Sequence, residues 1–317
     1  MLEATPISIL VLGFLIILPI LLFSKVQGWT HTAQSTILPR LGLRLWRPRQ
    51  SSEIISLRMY PIKSCRGFEV QKTLLKEHGL DLDRRWMLVD AKTNEFLTIR
   101  QIPNMTRIGT ALSDEGLDLI VTIPDIGSET MTTVRIPCHP SLDWLNNNTT
   151  IAPVKIWDND TDGHIYNESI NAPFSAFLGR PVALASLAEL NSRLRRKGVD
   201  PITVERFRPN IVVRGQTPWS EDSWKTVRIS GDGKPLDLDI VARCARCQVP
   251  NVDPDSAVKH KKQPWDTLVS YRRIDEGIKY KPCFGMLSAP RSEGVVEVGM
   301  RLEVLEETNE HRYITGF

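Results

Sequence analysis

The segment from Arg243 to Asp255, RCARCQVPNVDPD, gathers two thiols, two guanidiniums and two carboxylates into one short stretch. It follows the apolar run Leu238 to Val241, which reads as a strand, and Pro250 and Pro254 exclude a helix interior. A rigid loop at a strand end is a common place for reactive groups. A thiolate beside arginines has its charged form favoured, which suits it to nucleophilic attack or to metal ligation. Several readings stay open on spacing alone. A redox Cys-x-x-Cys should open a helix, and the prolines follow too closely for that. A structural zinc site could draw only on Cys244, Cys247, His260 and Cys283, with no second Cys-x-x-Cys. A single thiolate could bind a cofactor metal while the arginines hold an anionic cofactor. The plain reading, two buried thiols packed as small hydrophobes, outweighs these when spacing is the sole guide.

Further motifs follow along the chain: Tyr60-Pro61-Ile62-Lys63-Ser64-Cys65, Asp83-Arg84-Arg85-Trp86, Phe207-Arg208-Pro209-Asn210-Ile211-Val212-Val213 and Lys281-Pro282-Cys283-Phe284-Gly285. With the Arg243 segment they resemble the MOSC domain of molybdenum-cofactor proteins and, within that group, the mitochondrial amidoxime reducing components. The resemblance runs from about residue 53 to residue 305. Each motif is weak alone; their number, order and spacing carry it.

The resemblance implies a molybdenum cofactor, Mo-molybdopterin, an anionic pterin that carries phosphate. Cys247 matches the cysteine that ligates the metal, for which a soft thiolate is suited. Arg246 can fork onto phosphate or pterin oxygens. Lys63, Ser64 and Arg84 match cofactor-binding positions, and Arg208 and Asn210 match the pair near the pterin. The plain readings are a solvated loop lysine, a turn serine, a surface charge at Arg85 and, for Arg208, a salt bridge to Glu205 or another acid. Asp253 matches the aspartate of a Val-Asp-Pro motif, with a role in orienting the loop or relaying a proton; a turn-capping aspartate before proline is the equal alternative. Where the family has a serine this chain has Ala245, which removes one hydrogen bond.

The implied reaction is reduction of N-hydroxylated compounds such as amidoximes and hydroxylamines, with two electrons, two protons and loss of the hydroxyl oxygen as water. The metal supplies the redox chemistry and the protein supplies position and charge. No G-x-G-x-x-G with a following acid supports direct nicotinamide binding, and no plant-type iron–sulfur spacing occurs. The resemblance implies cytochrome b5 and its NADH-dependent reductase as separate electron donors. Two other classes compete: a cofactor sulfur carrier, whose aminotransferase-like half with its pyridoxal phosphate lysine is missing here, and a cofactor-binding scaffold without activity.

The elements that must position these residues read as mainly β with a few helices, an α+β chain. The expected order is a membrane anchor in 1–24, a basic linker in 25–52, an N-terminal β-barrel-like domain in 53–181 and a MOSC β-barrel domain in 182–317. Ile7 to Phe23 is apolar and uncharged, at the short edge of a spanning helix. Lys25, Arg40, Arg44, Arg47 and Arg49 follow it, so the positive-inside rule places the body in the cytosol. The resemblance points to the outer mitochondrial membrane; hydropathy alone fits the endoplasmic reticulum equally. Sequons at Asn104, Asn148, Asn159 and Asn167 run against that charge bias.

Many short strands with close turns argue for a barrel or sandwich. Ile54 to Tyr60 is a strand stopped by Pro61, and residues 85–89 and 96–99 flank the turn 90–94. Residues 117–121 and 131–136 form another pair, and 227–229 and 236–241 bracket Gly231-Asp232-Gly233. Helices are expected over 171–178, ending at Gly179, and over 265–273. Val182 to Leu184 reads as a strand and Ser186 to Glu189 as a capping box opening a helix to Lys197. That leaves almost no turn, where the family has an extra strand and a small polar residue near the cofactor. The totals fit: 317 residues with 41% hydrophobic, 24% charged and net charge +3 describe an ordinary globular chain with no case for nucleic acid. Five cysteines form no even framework and suit a reducing compartment.

Overall fold

Alternation of apolar residues makes Ser51–Met59 a strand, and it buries Ile54, Leu57 and Met59. In this computed structural model, which describes residues 51–156, 159–186, 204–215 and 217–313, that strand is the pivot of the largest sheet. It pairs antiparallel with Ile211–Arg214 on one side and Arg301–Glu307 on the other, with Phe68–Val70 added at its far end. The order continues through Trp224–Ser230, Leu236–Ala245 and Cys283–Pro290 to complete seven strands. Thus the first strand of the described chain is hydrogen-bonded into strands that lie at least 150 positions later (Glu53 opposite Arg214, Leu57 opposite Ile211).

The reverse exchange happens at the midpoint. Val182–Ser186 pairs with Trp86–Asp90 and with Asn159–Tyr166, in a four-stranded sheet closed off by Thr149–Ile156. Trp86–Asp90 is buried on both faces. Trp86 and Leu88 point into one core with Leu119, Ile136 and Phe174, while Met87 and Val89 meet Val154 and Ala183 on the other face. Smaller three-stranded sheets complete the fold, Gly109–Leu112 with Asp118–Pro124 and Met131–Pro137, and Gly294–Glu297 with Lys72–Lys76 and Gly79–Leu80. A separate core around Ile54, Leu57, Trp224, Leu238 and Leu302 backs the seven-stranded sheet.

The chain is mainly β, with α-helices at Leu142–Asn148, Glu168–Leu178 and Trp265–Tyr271 among the described residues. The second begins three residues before the expected start, because the Asn167 side chain accepts from the Ile170 N–H as an N-cap. It ends at Gly179 in the left-handed conformation, φ 65°. Asn171, buried inside it, accepts from the Leu184 N–H at 2.8 Å and donates to the Tyr166 carbonyl at 2.6 Å, which locks helix to sheet.

Two expectations are corrected. Ser186 does not cap a helix: it is the last residue of a strand, opposite Trp86 and His164, because the ladder to Trp86–Asp90 carries straight through Leu184 and Ala185. The expected abrupt junction is therefore strand interior, and the helix expected up to Lys197 lies outside the described residues. The strand before the cysteine motif runs beyond Val241 to Ala245, held by Cys283–Pro290, so Arg243 and Cys244 belong to the strand and not to the loop. The apolar run Ile7 to Phe23 and the basic linker also lie outside the described residues. Among the described residues no helix is long and apolar enough to cross a membrane.

Candidate functional site

The end of strand Leu236–Ala245 separates the two thiols of the motif. Cys244 is 2% exposed, packed within the strand. Cys247 lies just beyond the strand end and is the one cysteine of the five that is not buried. The turn that presents Cys247 is fixed at its backbone. Arg246 donates its N–H to the Pro282 carbonyl at 2.8 Å, and its own carbonyl accepts from the Trp265 indole at 2.9 Å. Asn251, fully buried, accepts the Trp265 N–H on its side chain and the His260 N–H on its carbonyl. His260 spends Nδ1 on the N–H groups of Lys262 and Gln263, so it serves a local turn and is not aimed at the thiols as a zinc ligand. Among the described residues no three His, Cys, Asp or Glu side chains come together to hold a metal.

The arginines of the motif differ. Arg243 has an anion beside it: it donates to the carbonyls of His311 at 2.7 Å and Asp222 at 3.2 Å with the Asp275 carboxylate 3.5 Å away, although its Nε finds no hydrogen-bond partner among the described residues. Arg246 is 4% exposed and, among the described residues, its guanidinium reaches only the Phe284 carbonyl while lying over the rings of Phe207 and Phe284. Burial drives its pKa well below the usual arginine value, and its Nη1 is buried with no hydrogen-bond partner among those residues. Gly285, at φ 70°, keeps the backbone beside it without a side chain; a Cβ there would stand 3.7 Å from Arg246 Nη2.

A second group of candidates surrounds Tyr60 at the end of the first strand. Arg84 makes an ion pair with Asp83, reaches the Asn210 side chain at 3.4 Å and donates to the Arg208 carbonyl at 3.2 Å. Asn210 donates to Asp83 at 2.7 Å and to the Arg58 carbonyl at 2.9 Å. Arg208 donates to the Cys65 carbonyl at 2.7 Å and lies 4.1 Å from the Tyr60 ring centre. It makes no salt bridge to Glu205, which pairs with Arg58 instead. Burial and the neighbouring Arg84 push the Arg208 pKa down to about 10. Among the described residues Arg208 Nη2 and Tyr60 Oη are buried without hydrogen-bond partners. Lys63 stands with its ammonium 3.6 Å from the centre of the Phe96 ring; burial, then Arg100 and Arg84, lower it to about 7. The Ser64 hydroxyl accepts from the Ile99 N–H at 3.2 Å.

Ser64, Arg84 and Arg208 all take left-handed backbone, φ 73°, 55° and 50°. Such conformations cost of order 1 kcal/mol each for ordinary residues and gather where structure serves function.

One segment joins the two groups. Arg206 forms an ion pair with Asp253; Phe207 stacks on Phe284 at 3.9 Å with an interplanar angle of 9°; Arg208 and Asn210 hold the Tyr60 side. Arg66 adds a second strap, donating to the Pro254 carbonyl at 2.7 Å and pairing with Asp255. Asp253 itself accepts from the N–H groups of Ser256 and Asp255 and from the Ser256 hydroxyl, which hold its carboxyl below the usual range. These contacts, with that to Arg206, tie the carboxylate to its own turn and to the segment before Phe207. The motifs contained Tyr60, Asp83, Phe207 and Phe284, but the resemblance singled out their neighbours Lys63, Ser64, Arg84, Arg208 and Asn210 and passed over these four. Arg206 stood just outside the motif, and no signal marked it.

Residues 51–181 match the MOSC N-terminal beta barrel domain, and residues 180–303 match the MOSC domain. Mitochondrial amidoxime-reducing component 1 of Mus musculus is 29% identical over 305 residues, covering 82% of this chain and 86% of that protein. The Homo sapiens protein of the same name is 27% identical, covering 88% and 94%. Molybdenum cofactor sulfurase of Arabidopsis thaliana is 32% identical over 293 residues, covering 79% of this chain but 34% of that protein, so the chain spans about a third of its length.

Proposed function

From a chain that belongs to the MOSC family, with the N-terminal and MOSC domains in succession, we propose a molybdenum-cofactor-dependent reductase of N-hydroxylated compounds. The observation that carries the reading is a mismatch of charge. Among the described residues Arg208 Nη2, Arg246 Nη1 and Tyr60 Oη are buried donors without acceptors, and the segment Arg206 to Asn210 draws their two groups together. Burying an unpaired guanidinium is costly. An anionic ligand bearing phosphate and several acceptor oxygens removes that cost, so the residues present fit the cofactor.

In this reading the Cys247 thiolate ligates the metal, and Arg246, Arg208, Arg84, Lys63, Ser64 and Asn210 hold the phosphate and the pterin edge. When bound, the cofactor supplies the two-electron redox chemistry. The chain's own work is placement. Asp253 and Arg206 fix the loop, Trp265 and Pro282 fix the backbone of Arg246, and the Phe207–Phe284 stack keeps water from the guanidinium. Electrons come from cytochrome b5 and its NADH-dependent reductase. Ile7 to Phe23 tethers the body to the cytosolic face of the outer mitochondrial membrane, where encounter with membrane-bound donors is frequent.

The test is benzamidoxime reduction to benzamidine by the full chain with NADH, cytochrome b5 and its reductase. Cys247→Ala should abolish turnover, while Cys244→Ala, altering a thiol packed inside a strand, should keep most of it. Equal loss in both would favour a paired-thiol site. A second reading, a cofactor sulfur carrier, is favoured by the identity to the Arabidopsis thaliana sulfurase; it predicts sulfur transfer to the cofactor and no benzamidine.

A further inference from the structure

The end of the helix Trp265–Tyr271 and the segment that runs from it to Lys281 form a surface that the site itself does not use. Tyr271, Ile274 and Tyr280 are exposed there, by 53%, 39% and 84%. The same stretch carries the exposed cations Arg273, Lys279 and Lys281, against the exposed carboxylate Glu276. Residues 271–274 and 279–283 lie side by side, because the Cys283 N–H donates to the Arg272 carbonyl at 2.8 Å and Arg272 Nε donates to the Cys283 carbonyl at 2.9 Å. The charges beneath are matched. Arg272 forks onto Asp222 at 2.8 Å through both terminal nitrogens, and Arg243 faces Asp275. The surplus that points outward is therefore positive.

The same face leads inward along a row of rings. Tyr271 meets Trp219 edge-on at 6.0 Å, Trp219 meets Phe284 edge-on at 5.5 Å, and Phe284 stacks on Phe207 at 3.9 Å. Arg246, the residue before Cys247, lies 5.0 Å from the Phe207 ring centre. A row of packed aromatics is ordinary in a core. One that starts at an exposed tyrosine within a basic rim and ends beside the candidate metal ligand is not required by packing.

We propose that this face docks an acidic protein that carries one electron at a time. The proposal rests on the redox reading above, which needs two electrons per substrate from outside and so two visits by such a carrier. Exposed aromatics inside a charged rim have the composition of an interface centre, tyrosine above all. The basic rim steers an acidic partner and raises its rate of encounter. Electron transfer falls steeply with distance, so docking where packed rings run to the site is the productive orientation. The patch is small, which suits the brief, weak complexes that electron carriers form.

The experiment uses the full chain and the soluble haem domain of cytochrome b5, an acidic one-electron carrier, and reads binding directly by calorimetry. Arg273→Glu, Lys279→Glu and Lys281→Glu combined should weaken binding about tenfold or more at low salt, and the difference should shrink as ionic strength rises past about 0.15 M. Tyr280→Ala should weaken binding to a degree that salt does not change. A control with the same charge change elsewhere, Lys92→Glu, Arg135→Glu and Lys234→Glu, should bind nearly as the unaltered chain does. Unchanged binding in the first variant, or equal loss in the control, overturns the proposal. Benzamidoxime reduction driven by reduced methyl viologen separates the two readings. No turnover in the unaltered chain sinks the reductase while the binding result still decides the docking face. Full viologen-driven turnover with unchanged carrier binding sinks the docking face alone.

Discussion

Two arginine-bearing regions of this chain handle charge in opposite ways. On the outer strands Trp224–Ser230 and Leu236–Ala245, Arg228 stands opposite Asp237 in register and bonds it at 2.6 and 2.8 Å, and Arg291 grips Asp239 at 2.6 and 3.0 Å. There the hydrogen-bonded pairing holds the arginines above, and the carboxylates below, their usual ranges. Around Tyr60 and Phe207, Asp83 answers Arg84, but among the described residues the guanidiniums of Arg208 and Arg246 reach only main-chain oxygens and burial lowers both. A solvated sheet face tolerates charge because each cation has its anion and water besides. A buried cation left short of anions makes sense only if something else brings the anion.

The sharpest way to break that contrast is Arg208→Met. It should weaken retention of pterin about 100-fold, the loss typical of removing one partner from a buried charged contact. The cofactor-free protein should melt no lower than before, since the change removes an uncompensated charge. Pterin content unchanged with a lower melting temperature would make Arg208 a purely structural residue.

Asp253→Asn comes next. It removes the ion pair to the buried Arg206 and should cost about 1–2 kcal/mol in denaturant unfolding at neutral pH. Because the carboxyl is held below its ordinary range, its contribution is present at neutral pH and is lost as pH falls through that lowered value. The gap between variant and unaltered chain should therefore close in acid; a gap that stays constant would contradict the assignment.

Lys63→Met should act more weakly and with the opposite sign. Burial lowers Lys63 from 10.5 to about 7, so between those values the unfolded chain binds more protons and stability rises with pH. The penalty is complete below about pH 7. Removing the amine should then stabilise cofactor-free protein by about 1 kcal/mol at pH 6 and by little at pH 10, while pterin binding weakens. Equal effects at both pH values would show that the amine is not the cause.

Arg228→Met, on the matched face, is the smallest. The unfolding midpoint should barely move, less still in high salt, and pterin content should not change at all. A loss of pterin there would erase the distinction between the two regions.

Much of this fold was legible because strand periodicity is local. The strand beginning at Ile54, the turn at residues 90–94 and the hairpin of residues 117–136 all announce themselves by alternation and turn residues. The ends of two elements did not. Ala245 and Ser186 sit in strands because distant segments, Cys283–Pro290 and Trp86–Asp90, pair with them, and such partners leave no mark on the neighbouring sequence. At the site the cations were visible as motif residues, but their surroundings were not. Ser64, Arg84 and Arg208 are not residues that signal left-handed backbone, and the stack of Phe207 on Phe284 joins segments far apart in the chain. The split between Cys244 and Cys247 likewise depends on where the strand stops, which composition could not place.

The central claim is that Cys247 holds molybdenum, and X-ray absorption at the metal edge on the purified, cofactor-loaded full chain tests it most directly. The account predicts a sulfur shell that loses one scatterer in Cys247→Ala and is unchanged in Cys244→Ala. A metal-free unaltered chain after loading, or a sulfur shell indifferent to Cys247→Ala, would contradict it.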